Sequence, residues 1–546
     1  MQKLIVTATP PTPNGDLHLG HFSGPYLAAD VFARHQARRG TEVAHLTGID
    51  DHQSYTESRA VREGKTAEDV AEHFGNRIEQ AWADAGVAYD FVARPRRSPH
   101  HVDFTRSVFS ALYENGTIVR RTRPLPYCVP CDRWAYEAYV VGTCPHCGVR
   151  ACGNACEVCG KPNDCADLAD PECTICGEAC ELRPCERLYM PLEPFRGELA
   201  AYWDTVLMDG HLTALCHQMA AEGLPEIAVS HPADWGIEVP TEGFEGHRIY
   251  VWFEMAAGYL AATSEFLGAQ RPDVWTEESR VVQFFGFDNG YFHAVLFPAI
   301  MRSFRADAKL PEALISNEFY RLDGLKFSTS RQHAIWMLDA LPDVPADHLR
   351  IHLSCDRPAT HQTSFTWRGF ADRLGGDLLP RWSDWLRRLT DGSEAAAAIE
   401  QTVPAAPYAA ADRLLELAGE TLRRVDRAYA AATFAPRDAV WSLDLLVDAA
   451  VEFGHGNAHL RDVPELHGRF VRGVEAQLAV AAVFAAALYP VAPAMAQQLW
   501  SALGLAGTVE SADWDALPGH PAGPLKVGNL VDACSLFVFR GTAGGN

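Results

Sequence analysis

The sequence predicts an α/β protein in which a parallel sheet is split by a cysteine-rich insert and followed by a C-terminal α-helical bundle. Three observations predict it. The chain opens with an apolar strand, a Pro/Gly turn, a helical pattern and a second strand, which is how a nucleotide-binding parallel sheet begins. Twelve of the fifteen cysteines fall between Cys128 and Cys185. From about Leu374 to Leu503 the chain is rich in Ala, Leu and Arg at helical spacing.

At 546 residues the chain is too long for one core and predicts three or four packed units. With 48% apolar and 21% charged residues it has a globular composition and no disorder signature. The start MQKLIVTATP lacks the basic region and apolar core of a signal peptide, so a cytoplasmic enzyme is expected. Leu478–Ala496 is apolar but alanine-rich and broken by Pro490 and Pro493; it reads as a buried bundle helix, with no membrane partner. The net charge of −23 repels a polyanion from the molecule as a whole, while leaving room for local basic patches.

In order, Leu4–Thr9 reads as a strand, Ser23–Arg39 as a helix and Glu42–Leu46 as a strand, with further helices at Ala67–Ala85 and Val102–Asn115. The insert follows. Arg248–Trp252 and Val281–Phe285 are strand-like and resume the sheet, and the chain turns helical after Lys326. The expected units are 1–115 and 236–325 for two halves of a Rossmann-type sheet, 116–235 for the insert, 326–374 for a loop and connecting region, and 375–546 for the bundle. The tail beyond Gly504 receives no assignment.

His18 and His21, flanking Gly20, lie just after the first strand and open a helix, a position suited to cradling a phosphate. Gly324-Leu325-Lys326-Phe327-Ser328-Thr329-Ser330-Arg331 is a polar loop with cations able to close over a triphosphate. Four Cys-x-x-Cys knuckles, Cys128/Cys131, Cys144/Cys147, Cys156/Cys159 and Cys173/Cys176, supply eight thiolates. In a cytoplasmic chain these predict two closed, structural zinc sites rather than disulfides. Spacing alone leaves the pairing of knuckles open, and Cys152, Cys165, Cys180 and Cys185 are left without a role.

Taken together, His18–His21 and Lys326–Ser330 resemble the HIGH and KMSKS signatures of class I aminoacyl-tRNA synthetases, and the closest resemblance is to the two-zinc methionyl-tRNA synthetases. Gly48-Ile49-Asp50-Asp51-His52, Tyr250-Val251-Trp252-Phe253-Glu254-Met255-Ala256-Ala257-Gly258-Tyr259, and Gly286-Phe287-Asp288 with Tyr291-Phe292-His293 are similar to further motifs of that family. The resemblance runs from Ile5 to about Trp367 and then thins. It implies ATP as a reactant and Mg2+ as a cofactor, with His18, His21, Lys326, Ser328 and Ser330 meeting the charge that develops on the α-phosphorus and pyrophosphate. By the same resemblance Gly20, Gly286, Asp288 and Phe327 hold the nucleotide. Pro10, Thr12, Asp50, Trp252, Met255, Ala256, Tyr259, Phe292 and His293 surround a free amino acid, with Asp50 on its amine; on the residues alone, Asp50 also reads as a helix N-cap and the aromatics as core. It further implies interleaved zinc sites, Cys144, Cys147, Cys156 and Cys159 in one and Cys128, Cys131, Cys173 and Cys176 in the other.

Five departures fall at working positions. Pro10-Pro11-Thr12 replaces the family's Leu-Pro-Tyr, Glu254-Met255-Ala256 its Asp-Ala-Pro, Phe287 the lysine of GKD, and Thr329 the second loop lysine; residues 456–466 carry no tryptophan for the anticodon. Losing one transition-state donor costs about 2.7–4 kcal/mol, which a slow enzyme of specialised metabolism tolerates better than a translation enzyme. The sequence therefore leads us to expect an adenylate-forming ligase with an altered amino-acid pocket and reduced or absent tRNA recognition, the adenylate passing to a separate partner enzyme. The alternatives are a genuine methionine–tRNA ligase, with tRNA as partner, and an inactive relative that binds only nucleotide or RNA.

Overall fold

The computed structural model describes residues 3–268, 275, 276, 278–327, 333–400, 403–517 and 537. Its centre is a six-stranded sheet. The order across it is Leu207–Met208, Ala313–Asn317, Arg280–Gly286, Leu4–Ala8, Val43–Gly48, Phe91–Ala93, and every neighbouring pair is parallel. The four inner strands are short apolar runs buried on both faces, as a sheet covered by helices on each side requires; Leu4–Ala8 is buried throughout, while the edge strands Leu207–Met208 and Phe91–Ala93 are partly exposed. The chain reverses its direction of travel between Leu4–Ala8 and Arg280–Gly286, which puts a crevice at their carboxyl ends.

Helices cover the sheet because their apolar residues recur every three or four positions. Ala67–Asp84 buries Val70, Ala71, Phe74, Ile78, Ala81 and Trp82 and starts on Thr66, whose hydroxyl accepts the Asp69 N–H at 3.1 Å. The predicted helix Ser23–Arg39 is interrupted: a wide turn at Phe22–Tyr26 contains Pro25 and precedes Leu27–Arg38. Arg248–Trp252 is not a central strand. His247–Ile249 pairs with Ser230–Pro232 in a separate two-stranded sheet, and a helix begins at Val251 and runs to Phe266.

The insert stands on two long antiparallel strands, Val119–Cys128 and Glu181–Pro191, with the knuckles at its far end. Residues expected in the insert also return to the core, since Leu207–Met208 forms the edge of the central sheet. Beyond it, Leu379–Glu400, Ala409–Ala428, Pro436–Asn457 and His467–Leu488 pack as the C-terminal bundle, followed by Pro493–Ala502. The helical stretch Pro464–Leu488 is long and apolar enough to cross a membrane but is mostly buried inside the protein; Pro493 starts the next helix instead of breaking this one. Arg350, fully buried, locks bundle to sheet. It donates to Asp30 at 2.6 Å and to the carbonyls of Val491 (2.7 Å) and Pro490 (3.0 Å).

Candidate active site

A cleft of about 460 Å³ lies at the carboxyl ends of the central strands, reaching from Thr9 and His18 through Asp50 to Asp288, with the insert's Glu137, Asn154 and Glu157 on its outer wall. His18 caps the turn Leu19–His21: its Nδ1 accepts the His21 N–H at 3.2 Å, and His21 Nδ1 accepts the His18 N–H at 3.4 Å. The two rings stack at 3.6 Å. Burial holds His18 well below the usual imidazole range. His21 opens onto the cleft, and the surrounding protein still lowers its pKa to about 4. Both rings are therefore neutral near pH 7, and because each Nδ1 is an acceptor, each proton sits on Nε2 and is available to an anion.

Phe327 stacks on His18 at 4.7 Å. A Cβ on Gly20 would lie 2.9 Å from the Phe327 ring and 3.0 Å from that of His18. Glycine thus lets this aromatic stack close over the start of the helix. Lys326 reaches the cleft and pairs with Glu157. Ser328, Ser330, Thr329 and Arg331 lie outside the described residues.

Asp288 follows the strand Arg280–Gly286, and a Cβ on Gly286 would stand 2.5 Å from its Oδ1, so only glycine lets that carboxylate fold back. Burial and the Glu157 charge push Asp288 up to about 6, against the pull of Lys326. Phe287, at the family's lysine position, is buried and stacked on His211 at 3.7 Å.

Asp50 follows Val43–Gly48 and is 8% exposed. Among the described residues its carboxylate has one long contact, from Gln53 Nε2 at 3.4 Å. The helix Ser54–Glu63 is capped by the Gln53 side chain, so Asp50 is free of that duty. Burial and the charges of Glu254, Glu137 and Asp51 raise its pKa well above the carboxylate range, so its ionised form lacks a counter-charge, which an incoming ammonium would supply.

Behind Asp50 a small inner pocket of about 40 Å³ is walled by Pro10, Met255, Tyr259, His101 and Glu254. Thr12 and Trp252 line the outer cleft, and Met255 faces both spaces. Ala256, Phe292 and His293 are fully buried and line neither. His293 stacks on Phe285 at 3.9 Å and its Nδ1 is held by Gln283 at 3.0 Å, which turns it into the core beneath Tyr259.

Sequence reasoning missed the group that holds this wall. Glu254 Oε1 meets His52 Nδ1 at 2.8 Å and His101 Nε2 at 2.9 Å. Burial opposes its charge, but the two imidazoles outweigh it and hold Glu254 at about 2; Glu254 in turn raises His52 against burial. Also missed was Glu137, pushed by burial to about 7 and hydrogen-bonded by Asn154.

The eight knuckle cysteines form two clusters, Cys128, Cys131, Cys173, Cys176 and Cys144, Cys147, Cys156, Cys159. Sulfur pairs stand 3.4 and 4.0 Å apart in the first and 3.6 and 4.0 Å in the second. A zinc–sulfur bond of about 2.3 Å sets tetrahedral edges of about 3.8 Å, so both clusters fit such an ion, in the interleaved pairing.

A family model described as tRNA synthetases class I (M) matches residues 4–390. The methionine--tRNA ligase of Thermomicrobium roseum is 36% identical over 69% of this chain and 66% of its own length. That of Dehalococcoides mccartyi strain CBDB1 is 31% identical over 94% of this chain and 93% of its own. Mycobacterium tuberculosis methionyl-tRNA synthetase in complex with methionyl-adenylate shares the fold, with a TM-score of 0.74 at 20% identity over 93% of this chain and 94% of that one. The chain belongs to the class I aminoacyl-tRNA synthetases, in their methionyl branch, a family of ATP-dependent ligases.

Proposed function

We propose that this chain joins methionine to tRNA through a methionyl-adenylate. The observation that carries adenylate chemistry is the convergence of His18 and His21, Asp50, and Asp288 at the ends of three adjacent parallel strands. Methionine and tRNA are favoured by the relatives, one matched over 94% of this chain. In this reading Asp50 binds the amine, while Asp288, Gly20, Gly286 and Phe327 place the nucleoside. His18 and His21 donate from Nε2 to the α-phosphate as its carboxylate-bound geometry forms and pyrophosphate departs, and Lys326, with Ser328 and Ser330, receives the leaving charge. Mg2+ enters with ATP and neutralises its phosphates. Pro10, Thr12, Trp252, Met255 and Tyr259 contact the side chain, backed by Ala256, Phe292 and His293. Zinc in both clusters is structural, four thiolates leaving no open position, and the cytoplasm is the fitting location. The relatives lend no support to a separate enzyme that consumes the adenylate, and none is part of the proposal.

A second reading, an altered amino acid, is favoured by the wall itself: the Thr12 hydroxyl on the cleft and Oε2 of the buried Glu254 beside Met255, which has no partner among the described residues, suit a polar side chain, because a buried polar atom without a partner is costly. Amino-acid-dependent ATP–pyrophosphate exchange over a panel, with and without tRNA, separates the readings. Methionine as best substrate, transferred to tRNA with a CAU anticodon, supports the first. A polar amino acid that wins while tRNA changes nothing supports the second, and no exchange with any amino acid leaves only a nucleotide- or RNA-binding relative.

A further inference from the structure

A second cavity, of about 280 Å³, lies between the insert and the catalytic domain. Its walls come from Pro162–Asn163, Glu181–Pro191 and Ser230–Pro232, and its floor from Tyr250 and Tyr291. Arg187 is fully buried there; Nη2 donates to both Asp164 oxygens at 3.0 Å, while Nε and Nη1 have no partner among the described residues. Among the described residues, neither ring nitrogen of His231 is partnered, nor either amide atom of Asn163, nor the Tyr291 hydroxyl. Asn163 and His231 are 8% and 3% exposed.

Buried polar atoms need partners. Water is one supplier, and at ~30 Å³ each about nine water-sized groups fit. Three features favour a molecule of that size. The unpartnered atoms are mostly donors around a guanidinium, which suits a carboxylate. Asp167 stands on the same lining and suits an ammonium, with Glu226, already paired with Arg121 and Arg123, adding negative charge beside it. Glu137 and Asn154, hydrogen-bonded to each other, adopt φ of 41° and 92°, and Asn154 lines both this cavity and the cleft. Such backbone strain persists at ligand clamps.

We propose that this cavity is a second small-molecule site that takes a free α-amino acid, its carboxylate on Arg187, Asn163 and His231 and its ammonium towards Asp167 and Glu226. The site is separate from the seat of the activated amino acid at Asp50.

The test uses the full chain carrying Asp50→Ala, which removes ammonium binding in the cleft. Each common amino acid, acetate and inorganic phosphate is titrated by calorimetry and by thermal shift. The proposal expects at least one amino acid to bind Asp50→Ala and to bind at least tenfold more weakly after adding Asn163→Leu or His231→Phe. Asn163 has no side-chain partner to lose, and Phe keeps the 4.9 Å stack of residue 231 on Tyr136, so both changes should leave the unliganded melting temperature equal or higher. Three results would overturn the proposal: no amino acid binding to Asp50→Ala, binding untouched by both cavity changes, or phosphate binding better than every amino acid. Melting temperatures that fall in both variants with no probe bound would mark a water-filled cavity and overturn it too.

Discussion

Lys326, on the loop entering the cleft, is paired with Glu157, which lies between the two cysteines of the Cys156–Cys159 knuckle. The pair is half-exposed, so it contributes little to stability. Its effect is on the nucleotide: Lys326 must leave Glu157 before it can meet a phosphate. Lys326→Ala should lower pyrophosphate exchange about a hundred- to thousandfold. Glu157→Ala should instead lower the KM for ATP several-fold, with the melting temperature unchanged. A raised KM in Glu157→Ala would mean that the carboxylate helps hold the nucleotide.

His18→Ala and His21→Ala should each fold and lose exchange at least tenfold. Both imidazoles are already neutral, His18 held down by burial and His21 lowered to about 4 by the protein around the cleft. Exchange should therefore show no step near pH 6.5 attributable to either ring. A pH profile that falls through the ordinary histidine range and flattens in His21→Asn would contradict neutral donation.

What the sequence revealed was local. His18–His21, Asp50 and Asp288 sit just beyond strand ends, and a short motif after an apolar strand survives without knowledge of the tertiary fold. The interleaved knuckle pairing, implied by family resemblance, is the pairing the clusters adopt. The partners of Glu254 could not be read, because His52 and His101 lie 202 and 153 residues away. Arg248–Trp252 read as a strand because the helix that replaces its second half, Val251–Phe266, has thirteen of sixteen residues buried and so shows no polar face at period 3.6. His293 follows a family motif, yet its ring points into the core.

Glu254 and His52 should shape acid and alkaline stability. Glu254 is depressed to about 2, so its contribution is present above the unfolded value of about 4.3 and is lost as pH falls towards 2. His52 is raised, so its contribution is full below about 6.5 and is lost as pH rises through its folded value. The pair stabilises most between those limits. Urea unfolding from pH 4 to 8 should show a maximum that flattens in Glu254→Gln; an unchanged curve would place the pH dependence elsewhere.

Arg350→Met should destabilise the chain by about 3 kcal/mol or more, because it leaves a buried carboxylate short of a cation and two carbonyls without a donor. Asp30 keeps Arg34 at 2.8 Å, which sets the loss at the low end. Unfolding by guanidinium would measure it. A loss below about 1 kcal/mol, in the range of an exposed pair, would show that the bundle docks without this lock.

Metal loss should act unequally at the two cysteine clusters. Analysis should find two zinc ions per chain, since both sulfur sets have tetrahedral spacing. The Cys144, Cys147, Cys156, Cys159 cluster holds the loop that carries Glu157 and stands next to Asn154, both on the cleft wall. The Cys128, Cys131, Cys173, Cys176 cluster contributes no residue to that wall. Cys159→Ser should therefore change the KM for ATP as well as lose one metal ion. Cys176→Ser should lose one ion with exchange kinetics altered less than about twofold, because a closed structural site supports folding rather than chemistry. Atomic absorption together with steady-state exchange on each variant reads both quantities. Equal kinetic damage from the two changes would mean that the insert transmits loss of either cluster to the cleft as one unit.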